Sequence, residues 1–247
     1  MKRNSLLIAM LFVTLIAGAQ SINLHMNNGE VIKYNSAEVD YIDFTESSDV
    51  IAYTSCPDNH HPHLINLGLP SGTKWACCNV GASKPEEYGS YFAWGETLTK
   101  STYNWITYVH CDGSEETYHD IGKDIAGTQY DAATSNWGSP WAMPCLEQVN
   151  ELKDKCTSEW TTENGVNGRR FIGHNGASVF FPAAGCLWDN DQSIVIEGAG
   201  WGGRYWLSTL FDLDSNLACF LSIYSGGENT SSDIRCLGLS VRPVCKK

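Results

Sequence analysis

The chain has 247 residues, 43% of them hydrophobic and 11% aromatic, which suits one medium domain plus an appendage. Nine Trp, eleven Tyr and eight Phe give ample surface to bury and exclude a disordered chain. Sixteen basic against twenty-eight acidic residues give a formal charge of −12. Counterion-release binding needs a basic footprint, so nucleic acid is not an expected partner.

Lys2 and Arg3 precede an uncharged stretch, Leu6 to Ala19, and Ala17-Gly18-Ala19 offers small residues at the positions a signal peptidase reads. Residues 1–19 are therefore read as a signal peptide, too short to span a bilayer. No Cys sits at the cleavage point and no later stretch is a membrane span. Removing this leader leaves fourteen basic against twenty-eight acidic residues, a formal charge of −14. The expected location is the periplasm, the outer-membrane surface or the extracellular space. All ten cysteines follow the leader, and an even count in an exported chain points to disulfides. Cys77-Cys78 cannot easily bond to each other, because a vicinal bridge distorts the intervening peptide.

Residues 20–48 form a small β segment. Ile22 and Leu24 alternate with polar residues, Asn27-Asn28-Gly29 turns the chain, and Ile32 and Tyr34 follow. The register pairing Leu24 with Ile32 and Ile22 with Tyr34 gathers one apolar face. A segment this short cannot bury a core alone, so the face must pack on the main domain or on another chain. A linker over 49–62 follows, entered through the polar run Thr45–Asp49. It ends in Asp58-Asn59-His60-His61-Pro62-His63, read as flexible linker in preference to a metal site, whose ligands need outer-shell support.

From His63 the chain reads as short strands, turns and one good helix. Pro144 to Cys156 carries Leu146, Val149 and Leu152 at helical spacing, with Glu147 early and Lys153 and Lys155 late. Ser83–Glu87 reads as a short capped helical turn. Asn164-Gly165 and Asn167-Gly168 punctuate a turn region. Strands are expected at Ser178–Phe181, Tyr205–Ser208, Leu217–Tyr224 and Leu239–Val244, and Gly198–Gly203 is a Gly-rich loop carrying Trp201. The expected class is α+β, loop-rich, with twisted antiparallel strands.

An ordered set of motifs runs through residues 63–247. Leu67-Gly68-Leu69-Pro70-Ser71-Gly72-Thr73-Lys74-Trp75-Ala76 leads to Asn79-Val80-Gly81-Ala82 and Tyr91-Phe92-Ala93-Trp94-Gly95-Glu96. Trp141-Ala142-Met143-Pro144, Phe181-Pro182-Ala183-Ala184-Gly185, Tyr205-Trp206-Leu207-Ser208 and Gly238-Leu239-Ser240-Val241-Arg242-Pro243-Val244 follow. This set resembles the FISUMP family, the Fibrobacter succinogenes major paralogous domain of exported bacterial proteins. That family is in turn similar to the C-type-lectin-like and formylglycine-generating-enzyme folds. The resemblance implies a C-type-lectin-like frame with its chain ends close together, and it transfers no catalytic residues. The N-terminal segment similarly resembles the opening of exported proteins from Gram-negative gut anaerobes.

Against the family pattern, Cys145 replaces the hydroxyl residue that would cap the helix. It is either a helix-terminal thiolate or, the favoured reading, a disulfide partner. Cys186, Cys219 and Cys236 are also particular to this chain. A Cys219–Cys236 cross-strand disulfide fits if Tyr224 lies opposite Ser231.

Catalytic signals are weak. The sequence has no Gly-x-Ser-x-Gly elbow, His-Glu-x-x-His helix or phosphate loop, and no spacing joins Cys145 to His110, His119 or His174. The expectation is a protein without catalysis. Trp188-Asp189-Asn190-Asp191 offers oxygens to calcium, with Asp189 and Asp191 as ligands and Asp212–Asn216 as a contributor, yet adjacent side chains cannot all face one ion. A solvated turn is the simpler reading, so no cofactor is required. Trp75, Trp94, Trp137, Trp141 and Trp206 belong to the motifs and are read as core. Trp188 and Trp201, with Asp189, Asp191 and Arg204 beside them, are the candidate ligand-binding residues. The expected partner is a glycan or a surface protein, with self-assembly through the N-terminal β segment as the second reading.

Overall fold

A computed structural model describes residues 21–25, 31–35, 63–189 and 194–245. The leader, the linker with Cys56, His60 and His61, the Asn28-Gly29 turn, Val39–Phe44 and Asp191 lie outside the described residues. The chain divides into two compact units, residues 1–52 and 53–247.

In the first unit, β1 (Ser21–His25) and β2 (Val31–Asn35) pair antiparallel, with Leu24 opposite Ile32 and Ile22 opposite Tyr34. This is the register that the apolar pattern selects, because a one-residue slip would split that face between the two sides of the hairpin.

The second unit is α+β. It opens with β3 (Leu64–Ile65), β4 (Lys74–Ala76) and β5 (Tyr91–Phe92). A long irregular stretch leads to α1 (Ala132–Trp137), β6 (Trp141–Ala142) and α2 (Leu146–Lys155). Then follow β7 (Thr157–Glu163), β8 (Val166–Ile172), β9 (Ser178–Pro182), β10 (Cys186–Asp189) and β11 (Ile194–Glu197). The chain continues through β12 (Gly202–Leu210), β13 (Leu217–Tyr224), β14 (Gly227–Ile234), β15 (Leu239–Ser240) and β16 (Val244–Cys245).

The principal sheet has the order β14-β13-β12-β15-β5, with β12 and β15 parallel and the other neighbours antiparallel. A second sheet, β3-β4-β16-β6, inserts the last strand between β4 and β6 and so brings the two ends of this unit together. Three strands, β7-β8-β9, and the ribbon β10-β11 complete the set. Among the described residues no helix is long and apolar enough to cross a membrane.

Both faces of the principal sheet are used. Tyr205 and Leu207 of β12 and Cys219, Leu221 and Ile223 of β13 face one core, shared with α2 and β7-β8-β9 through Val149, Leu152, Phe171, Val179 and Phe181. Trp206, Ala218 and Phe220 face the other, with Trp94, Met143 and Leu239. Four of the five motif tryptophans, Trp75, Trp94, Trp141 and Trp206, are buried, and Trp137 is half-buried.

Three expectations change. Ser83–Glu87 is a single hydrogen-bonded turn, not a helix: the Glu87 N–H reaches Lys84 O, and its carboxylate accepts from Ser83 N and Oγ. Those bonds hold the Glu87 pKa below its ordinary value. The run Leu239–Val244 is two strands in two sheets, because Pro243 lacks an N–H for the ladder. The turn region after α2 is the β7-β8 hairpin. Asn164 and Gly165, at φ 47° and 85°, form its two-residue loop, while Asn167 and Gly168 lie within β8.

The unexpected helix α1 rests on Asp131, which is fully buried. Its Oδ1 accepts from Ala133 N at 2.8 Å and Thr134 N at 3.1 Å, capping the helix. Its Oδ2 accepts from Gly127 N at 2.8 Å and Met143 N at 3.0 Å, tying the loop before the helix to the strand end after it. Asp131→Ala leaves these four N–H groups without their acceptor and is expected to cost about 2–4 kcal/mol. A lower urea midpoint at unchanged m-value is the readout; a wild-type midpoint would show the carboxylate to be dispensable.

Candidate functional site

Of the sequence-predicted residues, Trp201 and Arg204 lie at the start of β12 and Trp188 on β10, while Asp191 lies outside the described residues. The turn Gly198–Trp201 delivers the chain into β12 and is braced on two sides. Gly200 N donates to Ala183 O at 2.8 Å, Asn167 Nδ2 to Gly200 O at 3.1 Å, and Trp201 N and Gly202 N both to Gly198 O at 3.0 Å. Gly198 and Gly200 adopt φ 76° and 80°, a region that residues with a Cβ rarely enter. Trp201 is held on this turn 83% exposed.

Beyond the turn, β12 alternates. Gly202 and Arg204 share a face with their β13 partners Tyr224 and Ser222, and β14 adds Gly227 and Asn229 in the same rows. Farther along this face Phe220 and Trp206 are buried, and Arg204 marks where the cover ends. Its guanidinium lies 5.5 Å from the centre of the Phe220 ring, and its Nη1 donates to Asp233 Oδ2 at 2.8 Å. Arg204 therefore caps an aromatic ring with a charge already neutralised by its neighbour.

The β10-β11 ribbon rises beside β12. Gly185 bridges to Gly203, and Arg204 N donates to Gly185 O at 3.3 Å. A Cβ on Gly185 would collide with Glu197 O, so this crossing requires glycine. Cys186 joins the same core cluster as Trp206 and Phe220, and burial pushes its thiol pKa up against the opposing pull of Arg204. Trp188, two residues on, shares the Cys186 face of the ribbon and is 37% exposed. The backbone of Asp189 pairs with Ile194, and its side chain lies outside the described atoms.

Among the described residues no group of three His, Cys, Asp or Glu side chains could hold a metal ion; Asp191 and the Asp189 side chain, the expected calcium ligands, lie outside them. Asp212 faces Lys123 at 3.5 Å, and Asp214 Oδ1 closes a turn on Asn216 N at 2.9 Å.

The Cys219–Cys236 disulfide is overturned by the register. Tyr224 lies opposite Gly227, not Ser231, because Ser225-Gly226 closes a two-residue loop. Cys219 then faces Ser232 and packs in the α2 core, while Cys236 lies beyond β14 among Tyr91, Tyr103, Tyr108 and Cys111. Both are free thiols, as are Cys111, Cys145, Cys156 and Cys186. Burial raises the thiol pKa of Cys156 to about 11 and that of Cys236 to about 12. Cys145 is neither a disulfide partner nor an activated thiolate: burial and the neighbouring Glu147 raise its pKa. It caps α2 through its backbone, whose N–H donates to Gln148 Oε1 at 2.9 Å.

Sequence reasoning missed Tyr224, Asp233, Ser222 and Asn229. Their signal was the β13-β14 hairpin, whose turn was placed too late in the chain. It also missed a shallow trough of about 540 Å³ on β8-β9, lined by Glu163, Asn164, Arg170, Ile172, Gly176 and Ser178. There Arg170 is paired with both Glu159 and Glu163, at 2.9 and 3.0 Å.

Comparison of the chain with family models, curated proteins and solved structures finds no match.

Alkylation of the unreduced, urea-unfolded protein followed by peptide mass spectrometry is expected to find Cys219 and Cys236 both modified. A cross-linked peptide joining them would refute the register. In the native protein at neutral pH the same thiols are expected to label slowly, since raised pKa values leave little thiolate.

Proposed function

We propose that this protein is an exported recognition module that binds a glycan or protein ligand without catalysing its conversion. The single observation that carries this reading is Trp201, 83% exposed on a turn held by four backbone-directed hydrogen bonds. What sets this indole apart from other exposed apolar side chains such as Leu213 and Ile106 is its braced turn, which orders it before a ligand arrives. Arg204 and Asp233 lie just beyond, half-exposed, with polar atoms for ligand groups. Export is supported by the leader pattern of residues 1–19. The motif order supports a FISUMP-like domain on a C-type-lectin-like frame.

On a glycan array, binding by the wild-type protein is expected to fall about tenfold or more in Trp201→Ala. It is expected to survive EDTA, because stacking on an indole needs no calcium. Binding that is unchanged in the variant would sink the reading; loss with EDTA would move it to Asp189 and Asp191.

A second reading is favoured by the N-terminal hairpin. Its pairs Leu24–Ile32 and Ile22–Tyr34 gather an apolar face, and Tyr34 is exposed. A two-stranded ribbon of this size is marginal alone, so it gains from pairing with the sheet edge of a second copy. Deleting residues 20–48 is expected to abolish concentration-dependent oligomers in sedimentation analysis; a wild-type chain that is monomeric throughout would end this reading.

A further inference from the structure

We infer that the open face of β12-β13-β14 is a platform for an extended, uncharged glycan chain, with Tyr224 as a second aromatic stacking residue beside Trp201. This rests on the recognition reading above and names its ligand class.

The rows of this face alternate between bare and functional positions. Gly202, Tyr224 and Gly227 form the outermost row, so the only side chain in it is a phenol, 45% exposed. The ring lies close to the hairpin turn, where a Cβ on Gly226 would touch it. The next row is Arg204, Ser222 and Asn229, and the one after adds the exposed Ser231 opposite buried Phe220. Tyr224 thus stands at the rim of the sheet, and Trp201 immediately precedes Gly202, the cross-strand partner of Tyr224. Hydroxyl, amide and ion-pair groups follow inward. Sugar rings present the matching chemistry, with C–H faces that stack on aromatic rings and hydroxyls that both donate and accept. Adjacent strands lie about 4.8 Å apart, the scale of one pyranose ring, so the three strands span about two consecutive sugar residues and a longer chain extends past them.

Charge decides between glycan classes. Arg204 is the one cation that these three strands carry on this face, and Asp233 neutralises it at 2.8 Å. The chain as a whole is formally −12. An anionic polymer would meet net repulsion and no uncommitted cation here, whereas a neutral chain meets donors and acceptors at no electrostatic cost.

The platform is also rigid from beneath. Arg169 Nη1 donates to Tyr224 O at 3.2 Å, and the same guanidinium is ion-paired with Glu228 on the opposite face of the hairpin. Ser158 Oγ donates to Glu228 at 2.9 Å. Tyr224 therefore has its backbone fixed and only its own side-chain torsions to order on binding.

Isothermal titration of the full chain with cellohexaose, xylohexaose, mannohexaose and hexagalacturonate tests this. At least one neutral hexasaccharide is expected to bind, with affinity little changed between low and high NaCl and reduced about tenfold in the matching disaccharide. Tyr224→Ala and Trp201→Ala are each expected to weaken it about tenfold, while Tyr224→Phe, which keeps the ring, stays within about twofold. An unchanged urea midpoint checks that each variant folds. Loss in Trp201→Ala but not in Tyr224→Ala would overturn the platform and leave the recognition reading standing. Binding of hexagalacturonate alone, or binding that collapses with salt, would overturn the neutral class. No hexasaccharide binding would overturn the inference itself. A Trp201-dependent signal on the glycan array would still uphold the broader reading, and its absence there would remove both.

Discussion

The guanidinium of Arg242 holds the second unit together. It is fully buried and has no carboxylate partner among its hydrogen bonds. Its Nε donates to Asn79 Oδ1 at 2.7 Å, and its Nη1 to Ala76 O and Cys77 O at 3.1 and 2.9 Å. Its plane lies 4.8 Å from the centre of the Phe181 ring. Burial lowers its pKa, yet an arginine starts so high that the charge is retained. A bare buried cation would be prohibitive, so oxygen acceptors at Nε and Nη1 and an aromatic face replace part of its hydration, while Nη2 has no partner among the described residues. The geometry explains why the C-terminal run is two strands. Leu239–Ser240 belongs to the principal sheet and Val244–Cys245 to the terminal one, and Arg242 sits between them, bonded to the exit of β4. The exit of β4, the run joining β15 to β16, and β9 all meet at this one side chain.

The same solution recurs at two other buried charges. Arg235 donates from Nε to the Tyr108 hydroxyl at 2.9 Å and from its two Nη atoms to Ser215 O and His119 O, and it lies 4.9 Å from the Trp94 ring. Asp131 is the mirror case, an anion surrounded by backbone N–H groups. These groups organise the segment from Trp94 to Met143, which has little regular structure to hold it. A loop that long needs anchors with several bonds each, and a guanidinium or a carboxylate supplies three or four from one residue. His110 belongs to this framework: its Nε2 bonds Gly95 O at 2.9 Å, and burial lowers its pKa, leaving a neutral ring packed between Tyr108 and Tyr130.

How much of this was legible in the sequence follows from the range of the forces involved. α2 was readable because Leu146, Val149 and Leu152 repeat locally, and β13 because its apolar run matches its full length. The hairpin register of β1 and β2 followed from two apolar pairs. α1 was not readable, since six residues show no periodicity and its cap draws on Gly127 and Met143. The β13-β14 turn was misplaced because β14 is Gly-Glu-Asn-Thr-Ser-Ser-Asp-Ile, which carries no hydrophobic alternation to fix its start. The Cys219–Cys236 pairing was misread for a related reason. The number of cysteines pointed to bridges, but Cys219 and Cys236 sit in separate cores as small apolar side chains, where burial raises the thiol pKa. The surface tryptophans were separable from the buried ones because Trp188 and Trp201 lie outside the dense motifs. Tyr224 could not be singled out until pairing set it in the same row as Gly202 and Gly227.

The polarity that hid β14 also allows the face to stay open. β14 is an edge of the principal sheet, and an edge bordered by exposed aromatics is an invitation to aggregate. Glu228 is drawn to the inner side by Arg169, Asp233 is held across the outer side by Arg204, and hydroxyl and amide side chains fill the positions between. The outer side of the strand therefore stays open, while α2 lies against β14 through Lys153 and Thr230. Its two ion pairs fix the hairpin from opposite faces, one beneath Tyr224 and one over Phe220. An apolar β14 would have needed a cover, and the cover would have buried Tyr224. With the strand polar and pinned, Tyr224 stays exposed on a fixed backbone.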